Sequence, residues 1–117
     1  MTAAPPAMAG LQFVDAAALA DAGSDNALVV VAFVATWNRR CQGFAADYQA
    51  WAERCGPALP VLCVDVDEHP GLVTAHAVFS VPTVLVLRSG QEIGRETGTD
   101  LPAVQVIVRA EAERGAS

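Results

Sequence analysis

Lysine is absent from this chain: each of the 7 basic residues is an arginine, set against 13 acidic ones, for a formal charge of -6. Such a surface repels phosphate backbones, and the nearest approach to a basic cluster is the pair Arg39 and Arg40. Nucleic acid and anionic lipid are therefore excluded as expected partners. Long hydrophobic runs are missing too. The apolar run from Leu28 to Ala35 falls far short of the about 20 residues that span a bilayer, so no membrane partner is expected. Met1 to Gly10 carries no cation and the first arginine is Arg39, which leaves no secretory or mitochondrial leader in view. Cysteine is scarce. The 3 present, Cys41, Cys55 and Cys63, are an odd number without tight pairing, which argues against a secreted disulfide framework and for the cytoplasm or another reducing compartment. His69 and His76 stand at no familiar metal spacing from them. A phosphate-binding glycine loop and a Ser-His-Asp signature are also lacking, and no metal site is expected.

What is present fits one compact α/β domain of 117 residues, 53% hydrophobic and 17% charged. Residues 1–10, rich in alanine and proline, read as a flexible tail, and residues 11–117 as the folded domain. Leu11 to Val14 reads as a short strand and Asp15 as the cap of a helix to about Ala22, before a turn at Gly23 to Asn26. The β-branched run Leu28 to Ala35 predicts a central strand covered on both faces. Cys41, Phe44, Tyr48, Trp51 and Cys55 recur at helical spacing, predicting a helix that Gly56 and Pro57 stop. Val61 to Val66 is a further strand, and His69 to Ala77 a short helix with Pro70 in its first turn. Thr83 to Leu87 and Glu92 to Thr97 flank Ser89-Gly90-Gln91 as a hairpin with the glycine at positive φ. A last helix starts near Asp100 and turns Leu101, Val104 and Val108 inward. The order predicts a central mixed sheet of about five strands with helices on both faces.

Three features stand together on this order: Trp37-Asn-Arg-Arg-Cys41 after the central strand, Val81-Pro82-Thr83 before the fourth strand, and Thr97-Gly98 after the fifth. With Val64-Asp-Val-Asp-Glu-His-Pro70-Gly71, Val81 to Leu87 and Ser89-Gly90, the set resembles thioredoxin over nearly the whole chain after the tail. The resemblance implies the thioredoxin fold and a cis-proline at Pro82. It also implies a surface of Trp37, Val81, Pro82, Thr97 and Gly98 for a protein or peptide partner that adds as an extended strand; Phe79 either enlarges this surface or tucks under the loop. The family's chemistry uses Trp-Cys-Gly-Pro-Cys, whose first thiol attacks a client disulfide and is released by the second. Here Asn38 takes the first position, Arg39 and Arg40 the middle pair, and Cys41 alone matches. The family's buried aspartate falls on Ala32 and its neighbouring lysine on Cys63. A further likeness is to the N-terminal thioredoxin-like domain of multidomain monothiol glutaredoxins, some of which keep only the second cysteine. It implies an adaptor or targeting role in thiol and iron biology, without cluster binding.

Cys41 begins the same stripe as Phe44, Tyr48 and Trp51, and a core-facing thiol more often packs than reacts. A helix N-terminus and the adjacent Arg39 and Arg40 favour its thiolate, whereas burial opposes it. The leading expectation is a thioredoxin-fold binding or adaptor module without a dithiol, using Trp37, Asn38, Arg39, Arg40, Phe79, Val81, Pro82, Thr97 and Gly98, and needing no cofactor. The alternative is a monothiol redox protein in which Cys41 is the catalytic group and forms mixed disulfides with glutathione or a client.

Overall fold

In the computed structural model, which describes residues 6–116, a four-stranded sheet runs in the order β2-β1-β3-β4. The strands are β1 Leu28–Val34, β2 Val61–Asp65, β3 Thr83–Arg88 and β4 Gln91–Thr97, and the helices are α1 Ala16–Asp25, α2 Arg39–Cys55, α3 Pro70–Ala75 and α4 Leu101–Ala116. β1 pairs parallel with β2 and antiparallel with β3, which pairs antiparallel with β4. The mixed sheet is thus the expected one with one strand fewer.

The missing strand is Leu11 to Val14. Its pairing reduces to one bridge, Phe13 with Cys63, held by Val14 N–H to the Cys63 carbonyl at 2.9 Å and Cys63 N–H to the Gln12 carbonyl at 2.8 Å. The segment is squeezed from both ends. Leu11 N–H closes a turn on the Met8 carbonyl, and Asp15 accepts from the Ala18 amide to cap α1.

Why β1 is apolar throughout is plain from its two faces. Val30, Ala32 and Val34 enter a core completed by Cys41, Phe44, Tyr48 and Trp51 of α2, Cys63 of β2, and Leu101 and Val104 of α4. Val29, Val31 and Phe33 enter a second core with Leu19 of α1, Val64 and Leu85, against which Leu72 and Val73 of α3 pack. A strand covered on both faces needs an apolar residue at every position. Each large aliphatic or aromatic side chain buried there contributes about 1.5–3 kcal/mol.

Two local expectations are corrected and a third is extended. The tail is not free along its whole length: Pro6–Met8 forms a single 3-10 turn with Met8 fully buried against the α2 core, while residues 1–5 lie outside the described residues. Helix α1 runs through Gly23, Ser24 and Asp25 instead of ending near Ala22, because Asn26 serves as its C-cap, both its backbone and its side-chain N–H reaching the Ala22 carbonyl. In the β3-β4 hairpin the positive φ is shared by Ser89 at 50° and Gly90 at 82°, the pair of left-handed residues that a two-residue turn matched to strand twist requires.

Candidate functional site

The loop leaving β1 turns at once, with Asn38 N–H on the Ala35 carbonyl at 3.1 Å. Asn38 is the N-cap of α2: its backbone is extended and its side-chain oxygen accepts from the Cys41 amide at 3.0 Å. Caps of this kind are worth about 1 kcal/mol. Gln42 reinforces the loop by donating its side-chain N–H to the Thr36 carbonyl at 2.7 Å. Arg39 and Arg40 follow, both exposed. Cys41 then turns inward with 0% exposure. Burial pushes its thiol above the ordinary value, outweighing the Ala35 backbone and the Arg40 charge, which draw it down.

Beneath Cys41 the same core holds Cys63, also wholly buried, its thiol driven higher still by burial and by the proximity of Cys41. Ala32 and Cys63 are register partners on adjacent parallel strands. All three cysteines are free thiols.

Trp37 is 69% exposed, yet held in place, since its indole N–H donates to Asp67 Oδ2 at 2.7 Å. Asp67 is itself set by its amide on Asp65 Oδ1 at 3.0 Å. The short acidic run after β2 therefore orients an aromatic side chain, a role that composition alone does not reveal.

Across from this loop the Val81-Pro82 peptide is cis. The Pro82 carbonyl accepts from Gly98 N–H at 2.9 Å, and Thr83 Oγ1 donates to the Ser80 carbonyl at 2.7 Å, so the loop is fastened on both sides of Pro82. Thr97 is exposed and pairs with Thr83. Gly98 has φ 137°, and a Cβ built there would stand 3.7 Å from Arg40 Nη2, which places the guanidinium beside that glycine. Val81 is half-buried against the Cys41 core and makes no backbone hydrogen bond among the described residues. Phe79 does not tuck under the loop; it is 93% exposed.

The loop that carries Phe79 is clamped from β4. Arg95 donates to the His76 carbonyl at 2.6 Å and the Ala77 carbonyl at 2.9 Å, and its guanidinium also meets both Glu92 carboxylate oxygens at 2.7 and 2.8 Å. Ala77 takes φ 52° in that loop, a conformation unusual for a residue with a Cβ. The histidines flank α3: His69 stands at its N-cap without a side-chain bond, and His76, at its C-cap, is half-buried with its ring 5.7 Å from Phe33. Arg95→Ala is expected to cost about 1–2 kcal/mol, discounted for the partial exposure of the pair, and to raise amide exchange selectively at residues 76–80. Uniform exchange in wild type and variant would refute the clamp. Arg95 holds the Glu92 carboxyl below its ordinary pKa of 4.5; the ion-pair part of the clamp is present above that value and lost as pH falls beneath it.

Residues 13–108 match the family model described as Thioredoxin. This chain belongs to the thioredoxin family. Among curated thioredoxins, Thioredoxin-1 of Saccharomyces cerevisiae is 30% identical over 101 residues, covering 86% of this chain and 97% of that protein. Thioredoxin-2 of Pyricularia oryzae is also 30% identical, over 90 residues and 77% of this chain, which spans 52% of that longer relative. The solved structure of mitochondrial thioredoxin 3 from Saccharomyces cerevisiae superposes with a TM-score of 0.79 at 21% identity, over 89% of this chain and 98% of that one. The thioredoxin fold explains why Trp37, Cys41, Pro82 and Gly98 converge: they occupy the ends of β1, β3 and β4 and the start of α2, which meet at one end of the sheet. No helix among the described residues is long and apolar enough to cross a membrane. Asp67 and Arg95 belong to this thioredoxin surface as positioning residues that no sequence pattern marks. Only their hydrogen bonds across long sequence separations identify them.

Proposed function

We propose that this thioredoxin-family chain is a protein- or peptide-binding adaptor module of thiol-redox biology that works without a dithiol, docking an extended partner segment at the Trp37, Pro82 and Gly98 surface. The observation that carries this reading is the arrangement of Asn38 and Cys41: an amide side chain caps the helix where an attacking sulfur would stand, and the one nearby sulfur is sealed in the core. The open backbone of Val81 and the exposed aromatic rings of Trp37 and Phe79 supply the docking elements, hydrogen bonds from the main chain and apolar area from the rings. The likeness to the N-terminal domain of monothiol glutaredoxins favours an adaptor over a catalyst.

The second reading, a monothiol protein using Cys41 with glutathione or a client, has one observation in its favour, the Arg40 charge that draws the Cys41 thiol down. Burial acts more strongly in the opposite direction. Thiol labelling separates the two. Native Cys41 is expected to alkylate at least about a hundredfold more slowly at pH 8 than in the urea-unfolded chain, because the thiolate is both scarce and inaccessible. Wild type is also expected to leave insulin disulfides intact. Alkylation of Cys41 at the unfolded-state rate, or formation of a Cys41-glutathione adduct that Cys41→Ser abolishes, would establish the monothiol reading in its place.

A further inference from the structure

Arg39 and Arg40 oppose the chemistry of their own position. Cations in the first turn of a helix face the positive end of its dipole, at a cost of a few tenths of a kcal/mol or more each, roughly 0.3–1. Among the described residues three other arginines, Arg88, Arg95 and Arg114, carry ion pairs to Glu111 or Glu92. Arg39 and Arg40, like Arg54 and Arg109, carry no ion pair there, although the chain holds 13 acidic residues. Asp67, the carboxylate tied to this surface, is engaged by the Trp37 indole. Arg40 lies beside Gly98, itself bonded to the Pro82 carbonyl, so one of the two charges sits at the edge of the docking surface.

Resting on the docking reading, we propose that the partner segment is acidic: an extended peptide whose main chain lies along Val81 and whose carboxylates meet Arg39 and Arg40. Charge complementarity carries the choice. The remainder of this surface is apolar, backbone or neutral polar apart from Asp67, which the Trp37 indole engages, so the two guanidiniums are the cationic groups that discriminate between partners by charge. Their planar donor forks suit carboxylates. The net charge of -6 disfavours an acidic chain over most of the remaining surface, which makes wrong registers costly.

Three labelled nine-residue peptides sharing one apolar pattern, with Glu, Gln or Lys at the alternating polar positions, test this by fluorescence anisotropy against the full chain. The Glu peptide is expected to bind about tenfold more tightly than the Lys peptide at low ionic strength, with the ratio shrinking as salt screens the pairs. Replacing both arginines (Arg39→Gln with Arg40→Gln) is expected to bring that ratio close to one. The Gln peptide reports on docking by itself in the wild-type chain; circular dichroism confirms that the variant is folded. If the Gln peptide binds and Glu gives no advantage, or the advantage survives in the double variant, the acidic-partner proposal is overturned while docking stands. If none of the three binds, docking itself is overturned, and this proposal with it.

Discussion

Ala32→Asp is expected to lower the unfolding free energy by about 3 kcal/mol or more near pH 8. Ala32 is wholly buried on β1, flanked by β2 and β3, in a core whose buried members include Cys41 and Cys63 but no cation. A carboxyl buried without a counter-charge has its pKa raised by up to about 3–5 units, and each unit is about 1.36 kcal/mol. Fitting the larger side chain adds roughly 1–3 kcal/mol of overpacking. The two costs separate by pH. An acid raised in the folded state is destabilising above its folded pKa, and the ionisation penalty fades as pH falls toward the unfolded value of about 3.9. Urea unfolding at pH 8 and pH 5 should therefore show a gap between wild type and variant that narrows on acidification. A loss below about 1 kcal/mol at pH 8, or one that does not change with pH, would mean that this core already accommodates a carboxylate. The pairing of Ala32 with Cys63 would then not be a packed, uncharged contact.

How far the sequence spoke for the fold can be judged from β1 and α2. Val29 to Val34 is apolar at every position because each face of the strand meets a core, and a run of that kind admits few other readings. The stripe from Cys41 to Trp51 likewise lands inside, residue for residue. Periodicity failed where neighbours override it. Gln12 to Val14 has strand character but only enough chain for one bridge, and Met8 is drawn out of an otherwise featureless tail by a core that has room for it. Gly23 signals a turn in isolation, yet it lies in α1 close against Gly90, where an added Cβ would come within 3.3 Å. The site divides in the same way. Trp37, Cys41, Pro82 and Gly98 were legible as an ordered set because the backbone that joins them is common to the family. Asp67 and Arg95 were not. Their work is done through hydrogen bonds to residues 30 and 18 or 19 positions away, and no local pattern encodes such pairs.

Asn38→Cys carries the other large effect: the variant is expected to reduce insulin disulfides where wild type is expected not to, with a kinetic signature set by Cys41. Residue 38 caps α2 and Cys41 lies in its first turn, with the Asn38 side chain already reaching the Cys41 amide, so two sulfurs there fall within the reach of a disulfide, about 4.4–6.8 Å between Cα atoms. The introduced thiol would stand beside Arg39 and Arg40 at a helix N-terminus, surroundings that lower a cysteine pKa. As thiolate, the introduced sulfur attacks one sulfur of the client disulfide, and the client's other sulfur departs as thiolate. Cys41, once deprotonated, attacks the introduced sulfur, frees the second client thiolate and closes a disulfide within the chain. The client is thereby reduced and the chain oxidised by the same two electrons. The second step is the slow one. Burial holds the proton on Cys41 above the ordinary value of 9.0, and Ala32 offers no acid-base group to remove it. Mixed disulfide should therefore accumulate in a rapid first phase, visible as a mass adduct, and decay at a rate still rising with pH beyond about 9 as the Cys41 thiolate fraction grows. Loss of the amide cap should cost about 1 kcal/mol of stability at the same time. Rapid resolution at pH 7 without an accumulating adduct would mean that Cys41 is open and ionised, and the reading of a sealed, unreactive sulfur would fall with it.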